Sequence, residues 1–241
     1  CQTTVQSDAT VRIPASSRVP NVRVLTGGAP REVPFFPNVR RRTFTWERER
    51  LTDVESLVDA VAGMLDARAD LRVDLPVVRE LATGLEYGKT YEATIIGDRL
   101  VAVAPEAAAA DPLGVALDLG TTTVVAQVVN LTTGEAVGTD SRMNDQSRFG
   151  SDVIARIHHC FTEDHGLGEL QDAVLSTIKE CMAASGVDPS HVYEAVAVGN
   201  TTMMHLLAGI SPESLGQLPY TPVMRAGVDV PASDFPMPFS D

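Results

Sequence analysis

Gly114-Val115-Ala116-Leu117-Asp118-Leu119-Gly120-Thr121-Thr122-Thr123-Val124-Val125-Ala126-Gln127-Val128-Val129-Asn130 holds two apolar runs around a polar turn. Val115, Ala116, Leu117 and Leu119 predict a short strand. Gly120 breaks it, Thr121–Thr123 form the turn, and Val124–Val129 predict a second, β-branched strand. Asp118 is the exception in the first run: an acid near the end of a strand that otherwise reads as buried. An unpaired buried carboxylate is costly, so a cation or hydrogen-bond donors are expected beside it. Gly120 lets backbone approach a ligand closely. The hydroxyls and successive N–H groups of Thr121, Thr122 and Thr123 suit phosphate oxygens. Together these residues outline a nucleotide phosphate site with Mg²⁺ at Asp118. The plain alternative is a β-hairpin with a capped turn. No GxxxxGK[ST] run occurs in the chain, so this is not that phosphate loop.

Downstream, Thr132-Thr133-Gly134-Glu135 predicts a turn and Ala136–Ser141 a third strand. In Asn144-Asp145-Gln146-Ser147-Arg148-Phe149-Gly150-Ser151-Asp152-Val153-Ile154, Ser151 reads as a helix N-cap with Asp152 in the first turn. Val153, Ile154 and Ile157 then give the buried stripe. A second helix is expected over about 168–185, with Leu170, Val174, Ile178, Cys181 and Met182 on one face and Gly186 as its stop. His158 and His159 are adjacent, so they do not share a helix face and do not make a metal site together. Tyr193–Val198 predicts another buried strand. It delivers Gly199-Asn200-Thr201-Thr202 to a helix over about 203–208. That turn presents N–H groups and polar side chains to a ligand, or it is simply the cap of a core helix. Both polar turns fall at the C-terminal ends of strands, where ligands bind in open α/β sheets. The Pro-rich tail from Pro219 shows little periodicity.

Upstream, residues 41–105 predict a small α+β unit. A strand is expected over Thr43–Arg48, and Thr52-Asp53-Val54-Glu55 has the capping-box form before a helix carrying Leu57, Val58, Val61 and Leu65. Pro76 starts a second helix that Gly84 ends, and Gly97-Asp98 joins two strands, Tyr91–Ile96 and Arg99–Val103. The unit contains no acid–base pair, metal cluster or nucleophile. Pro105 and Pro112 bracket Ala107–Ala110 at a domain boundary. Residues 18–40 read as a Pro-rich linker, and Arg40–Arg42 as a solvated basic edge. Residues 1–17 suggest two short strands too few to bury a core alone, with Cys1 at their head.

The chain has 241 residues, 44% hydrophobic and 21% charged, with a net charge of −13. Length alone allows one or two domains. The acidic balance argues against nucleic acid or anionic membrane as a partner, and no apolar run is long enough to span a membrane. Three well-separated cysteines argue against a disulfide framework and for a cytoplasmic setting. Cys-Gln-Thr-Thr carries neither an initiator Met nor a leader pattern, so the sequence reads as an internal piece of a longer protein.

Asp118–Thr123 resembles the first phosphate loop of the actin, sugar-kinase and Hsp70 ATPases. The stretch from Cys1 resembles the last segment of a plant-type ferredoxin domain. Taken with Phe149–Ile154 and Val198–Met203, the whole resembles the reductive activators of corrinoid-dependent proteins, in domain order as well as in motif. The resemblance implies an α/β fold: the end of a [2Fe–2S] domain (1–17), a linker (18–40), a small α+β middle domain (41–105) and the first half of an actin-like, RNase H-type ATPase domain (113–241). It implies Mg-ATP at Asp118 (through water), Gly120, Thr121, Thr122, Thr123, Gly199, Asn200 and Thr201. Cys1 would be the fourth ligand of a [2Fe–2S] cluster whose other three ligands the chain lacks. The implied activity is ATP-dependent electron transfer from an electron donor, through the cluster, to the Co(II) of a corrinoid partner, giving Co(I). A sugar-kinase-type phosphotransferase and a non-catalytic docking scaffold are the rival functions. Two departures stand out: Asp145 occupies a position where the family pattern leads one to expect Pro, and the superfamily's Gly-rich second phosphate loop and adenosine loop are not found before Asp241, so both are expected beyond it.

Overall fold

The computed structural model describes residues 8, 10, 12, 34–51, 56–66, 71–231 and 235. The expected Cys1 hairpin, most of the linker and the Thr52–Glu55 capping box fall outside them. Two four-stranded sheets organise the described residues.

The first unit runs β1 (Val39–Thr45), α1 (Leu57–Met64), β2 (Arg72–Val73), α2 (Leu75–Thr83), β3 (Thr90–Ile96) and β4 (Arg99–Pro105). The strand order is β1-β3-β4-β2, with β3 antiparallel to both neighbours and β2 parallel to β4. Phe44, Trp46, Val61, Val77, Leu81 and Leu100 are buried in its core. The α1 cap is Ser56, whose hydroxyl accepts from the Asp59 N–H at 3.1 Å. Strand β1 begins four residues before the expected Thr43, because its register against β3, from Val39↔Ile96 to Thr45↔Thr90, uses the whole partner strand. Arg40–Arg42 therefore lie in β1, the edge strand of this sheet, where Arg40 and Arg42 are exposed as a solvated edge requires, yet each arginine also has a partner. Arg40 donates to the Gly97 carbonyl at 2.7 Å and Arg42 to that of Leu65 at 2.8 Å. Arg41 pairs with Glu92 and, at 2.5 Å, with Asp111.

The second unit runs β5 (Leu113–Leu119), β6 (Thr123–Asn130), β7 (Ala136–Met143), α3 (Val153–Thr162), α4 (Gly166–Ser185), β8 (Val192–Gly199), α5 (Thr201–Leu207) and α6 (Glu213–Gly216). The strand order is β7-β6-β5-β8. The first three strands form an antiparallel meander, and β8 returns parallel to β5. A parallel return needs a crossover, which α3 and α4 supply. Leu170, Val174, Ile178, Cys181 and Met182 of α4 cover Leu117, Leu119, Val124, Ala126 and Val128 on one sheet face. Gly186 ends α4 in the left-handed conformation, φ 72°.

Three expectations need correction. Asp118 is exposed, not buried: side chains alternate along a strand, so Leu117 and Leu119 enter the core while Ala116 and Asp118 take the uncovered face. Only Val192 is buried in β8, an edge strand whose Val196 and Val198 are each 57% exposed. Finally, α3 is capped by Asp152 rather than Ser151, its carboxylate accepting from the Ala155 N–H at 2.8 Å. Ile154 is 70% exposed, and Arg156 beside Ile157 is wholly buried in its place.

The two units meet at the connector. Asp111 accepts from Arg41 of β1 and, at 2.8 Å, from Asn130 at the end of β6. The Tyr193 hydroxyl hydrogen bonds Thr94 of β3, and burial raises the pKa of that phenol.

Candidate phosphate-binding site

The pairing of β5 with β8 brings the two polar turns together. Asp118 lies opposite Val198 and Leu119 opposite Gly199, so residues 120–122 and 199–201 leave the sheet side by side. Both glycines are required by close approach. A Cβ on Gly120 would stand 2.5 Å from the Thr123 carbonyl oxygen, and one on Gly199 would stand 2.9 Å from that of Leu119. The Gly120 N–H closes the hairpin on the Thr123 carbonyl at 2.9 Å.

Asn200 serves both readings of its turn. Its side-chain oxygen accepts from the Met203 N–H at 3.0 Å, capping α5, and its amide donates to the Thr121 hydroxyl at 3.2 Å, joining the two loops. Thr201 is exposed, and its carbonyl holds Nδ1 of the buried His205 at 2.7 Å. The Val223 N–H donates to Nε2 of that ring at 3.1 Å, so both ring nitrogens are engaged. Thr122 is exposed, and Gly120, Thr121 and Thr123 are half-buried. Among the described residues no hydrogen bond or ion pair engages the Asp118 carboxylate.

Behind the hairpin lies a polar cluster that sequence reasoning missed. Asn144, Gln146 and Arg156 are each fully buried. Asn144 donates its backbone N–H to the Thr122 carbonyl at 2.8 Å and its side-chain amide to that of Gly120 at 2.9 Å. Arg156 donates to the carbonyls of Gly150 at 3.0 Å and Thr121 at 2.5 Å, and to the Gln146 side-chain oxygen at 2.9 Å. Gln146 is held in turn by the Leu170 carbonyl at 2.8 Å. Burial lowers the Arg156 pKa, and Asp152 one turn earlier opposes that shift. The one legible signal was the pair of amide side chains two residues apart between the third strand and the helix. Nothing in the local pattern marked Arg156 as buried. Asp145 contributes its backbone N–H to the Thr177 hydroxyl at 3.2 Å. Proline there would lack that donor.

Of the two histidines of α3, His159 is otherwise engaged. His159 meets the Glu169 carboxylate at 2.7 Å and packs on Phe149 at 4.8 Å. No group of three or more His, Cys, Asp or Glu side chains placed to hold a metal ion occurs among the described residues. A cavity of about 650 Å³ on α3, lined by Phe149, Asp152, Ile154, His158 and neighbours, shares no residue with the two loops. A lone carboxylate beside outward-facing hydroxyls does fit Mg²⁺, which retains water and takes one or two carboxylates together with phosphate oxygens. The chain does not fit a [2Fe–2S] cluster. Cys160 and Cys181 sit on α3 and in the α4 core, and a Cys₄ set is not available.

The sequence profile described as the RACo middle region matches residues 113–241, beginning where β5 begins. The corrinoid activation enzyme RamQ of Eubacterium limosum is 31% identical over 152 residues, which are 61% of this chain and 26% of that protein. A solved structure, a reductive activator for corrinoid, iron–sulfur protein, superposes with a TM-score of 0.73 at 29% identity. The superposition covers 88% of this chain and 36% of the other. The chain thus spans about a quarter of the curated relative and about a third of the structural one.

Proposed function

Starting from a chain that belongs to the RACo middle-region family, the reductive activators of corrinoid proteins, we propose that residues 113–241 form half of the site through which Mg-ATP drives corrinoid reduction. The observation that carries this reading is the Leu119↔Gly199 register with the Asn200–Thr121 hydrogen bond, which makes one polar rim out of two loops distant in sequence. Thr121, Thr122 and Thr123 offer hydroxyls and N–H groups to phosphate oxygens, with Gly120 and Gly199 allowing close approach. Asp118 holds Mg²⁺ through water, and Asn200 and Thr201 face the terminal phosphate.

A [2Fe–2S] cluster, which the described residues would not hold, would supply the one-electron chemistry by which an external donor reduces the Co(II) corrinoid of a partner protein to Co(I). Co(I) is a strong reductant, so the step is uphill. ATP helps only if the site binds it more tightly in the complex where cobalt is easier to reduce, which is a coupling free energy between two states. The described residues contribute the nucleotide arm of that coupling and no electron carrier. The setting is cytoplasmic, in keeping with the cysteine usage; no helix among the described residues is long and apolar enough to cross a membrane.

The test follows the Co(II) to Co(I) absorbance change in a corrinoid protein mixed with the full-length activator and a low-potential donor. The rate should require Mg-ATP and fall about tenfold or more in Asp118→Asn, the loss of one charge-assisted contact. A rate indifferent to both nucleotide and substitution rejects the proposal.

A further inference from the structure

We propose that Arg156, with Asn144, is the positioning residue of this site: together they set the direction in which the 120–123 hairpin presents its N–H groups. This rests on the reading of the hairpin as the phosphate loop.

The argument is one of peptide geometry. In a planar trans peptide the C=O and the following N–H point in opposite directions. Asn144 holds the Gly120 carbonyl from inside, which turns the Thr121 N–H outward. Arg156 holds the Thr121 carbonyl from inside, which turns the Thr122 N–H outward. The Asn144 backbone does the same at the next peptide through the Thr122 carbonyl. Three successive carbonyls are thus held from one side, and no backbone or side-chain acceptor among the described residues takes the N–H of Thr121 or Thr122. A donor bound to a carbonyl also polarises the N–H of the same peptide.

Arg156 is a costly way to hold a loop. It is fully buried and makes no ion pair among the described residues, its donors being spent on two carbonyls, the Gln146 side-chain oxygen and the Met203 sulfur at 3.1 Å. An apolar side chain of similar size would avoid the desolvation of a charge. It would also leave the Thr121 carbonyl free to turn. A guanidinium directly behind the Thr121 carbonyl adds a fixed positive charge on the axis along which a phosphate approaches, in an interior where screening is weak. The planar fork reaches three acceptors in different directions; an ammonium cannot match all of them.

The test uses the full-length protein and its Arg156→Lys variant, with calorimetry against Mg-ATP and amide hydrogen exchange. A merely structural role lowers the fraction of competent molecules, so stoichiometry falls and Kd stays. A positioning role raises Kd by about tenfold or more at unchanged stoichiometry, the order expected for loss of a hydrogen bond to a charged group. It also speeds exchange of the two amides hydrogen-bonded to the hairpin's carbonyls, at Gly120 and at position 144, relative to the amides of α4. If Arg156→Lys does not fold, Asn144→Ser, which frees the Gly120 carbonyl and keeps the guanidinium, reads the same two quantities. Parent-like Kd together with parent-like exchange in a folded variant overturns the proposal. Failure of the parent itself to bind Mg-ATP would instead reject the phosphate reading, and the exchange comparison would still decide whether Arg156 fixes the loop.

Discussion

Single residues divide here into those with freedom to change and those without. Asp118 is exposed and unpaired among the described residues, so Asp118→Asn should leave stability within about 0.5 kcal/mol of the parent while weakening the Mg²⁺ dependence of ATP binding. Thermal unfolding beside a Mg²⁺ titration separates the two effects, and a large stability change would mean the carboxylate has a structural partner. Gly120 is the converse case. Alanine there places a Cβ 2.5 Å from backbone, so denaturant unfolding should show a loss of about 1–3 kcal/mol, typical of overpacking. Cys181 tests burial. Packed in the α4 core, its thiol is pushed up from 9.0 to about 11. Its contribution to stability is complete below the ordinary thiol pKa and is lost as pH rises from 9.0 towards about 11. At pH 8 it should resist alkylation in the folded protein and react after denaturation, as mass spectrometry of the labelled peptide would show. Labelling as fast as in the unfolded chain would contradict the buried placement.

At the scale of the element, helix α3 shows how periodicity identifies a helix but not its rotation. Val153, Ile154 and Ile157 satisfy a buried stripe, yet the covered face is that of Arg156 and Ile157. The polar cluster behind the hairpin decides the rotation, because Arg156 finds three oxygen acceptors there and an apolar residue would strand them. Ile157→Ala should therefore cost about 2–5 kcal/mol, the usual range for a buried truncation. Ile154→Ala should stay within about 0.5 kcal/mol. Paired denaturant curves test this, and equal losses would refute the rotation. Strand β8 makes the parallel point for sheets. Its apolar run suggests burial on both faces, but at the edge Val196 and Val198 lie open.

For the molecule as a whole, the two polar loops lie side by side at the ends of β5 and β8, and the proposed phosphate site has one wall among the described residues. Small-molecule sites ordinarily bury most of the ligand, and exposed charge-assisted bonds remain near their screened values. The 241-residue chain by itself is therefore expected to bind Mg-ATP with a Kd above about 0.1 mM, weaker than about 5.5 kcal/mol. Calorimetry with a tight one-to-one isotherm from a monomer would show the site to be complete. Unpaired apolar edges also promote association. Val198→Lys should thus shift sedimentation of this chain towards monomer without affecting the hydrogen bonds of the hairpin.

The sequence by itself determined the local objects: the Gly120 hairpin, the Gly199–Thr201 turn, the α4 stripe ending at Gly186, and the Gly97–Asp98 hairpin. Each is specified within a few residues by side-chain size, branching and the conformations glycine permits, so no distant partner is needed to read it. Tertiary structure alone decided which face of each element is covered. Asp118 alternates with core leucines whichever way the sheet turns, and only the placement of α4 makes its face the open one. The same holds for Arg40–Arg42, whose run of charge acquires partners in Gly97, Leu65, Glu92 and Asp111 only once β1 pairs with β3. Arg156 is the limiting case. Its burial depends on acceptors from residues 121, 146 and 150 converging at one point, and convergence is a property of the folded chain that no spacing along it encodes.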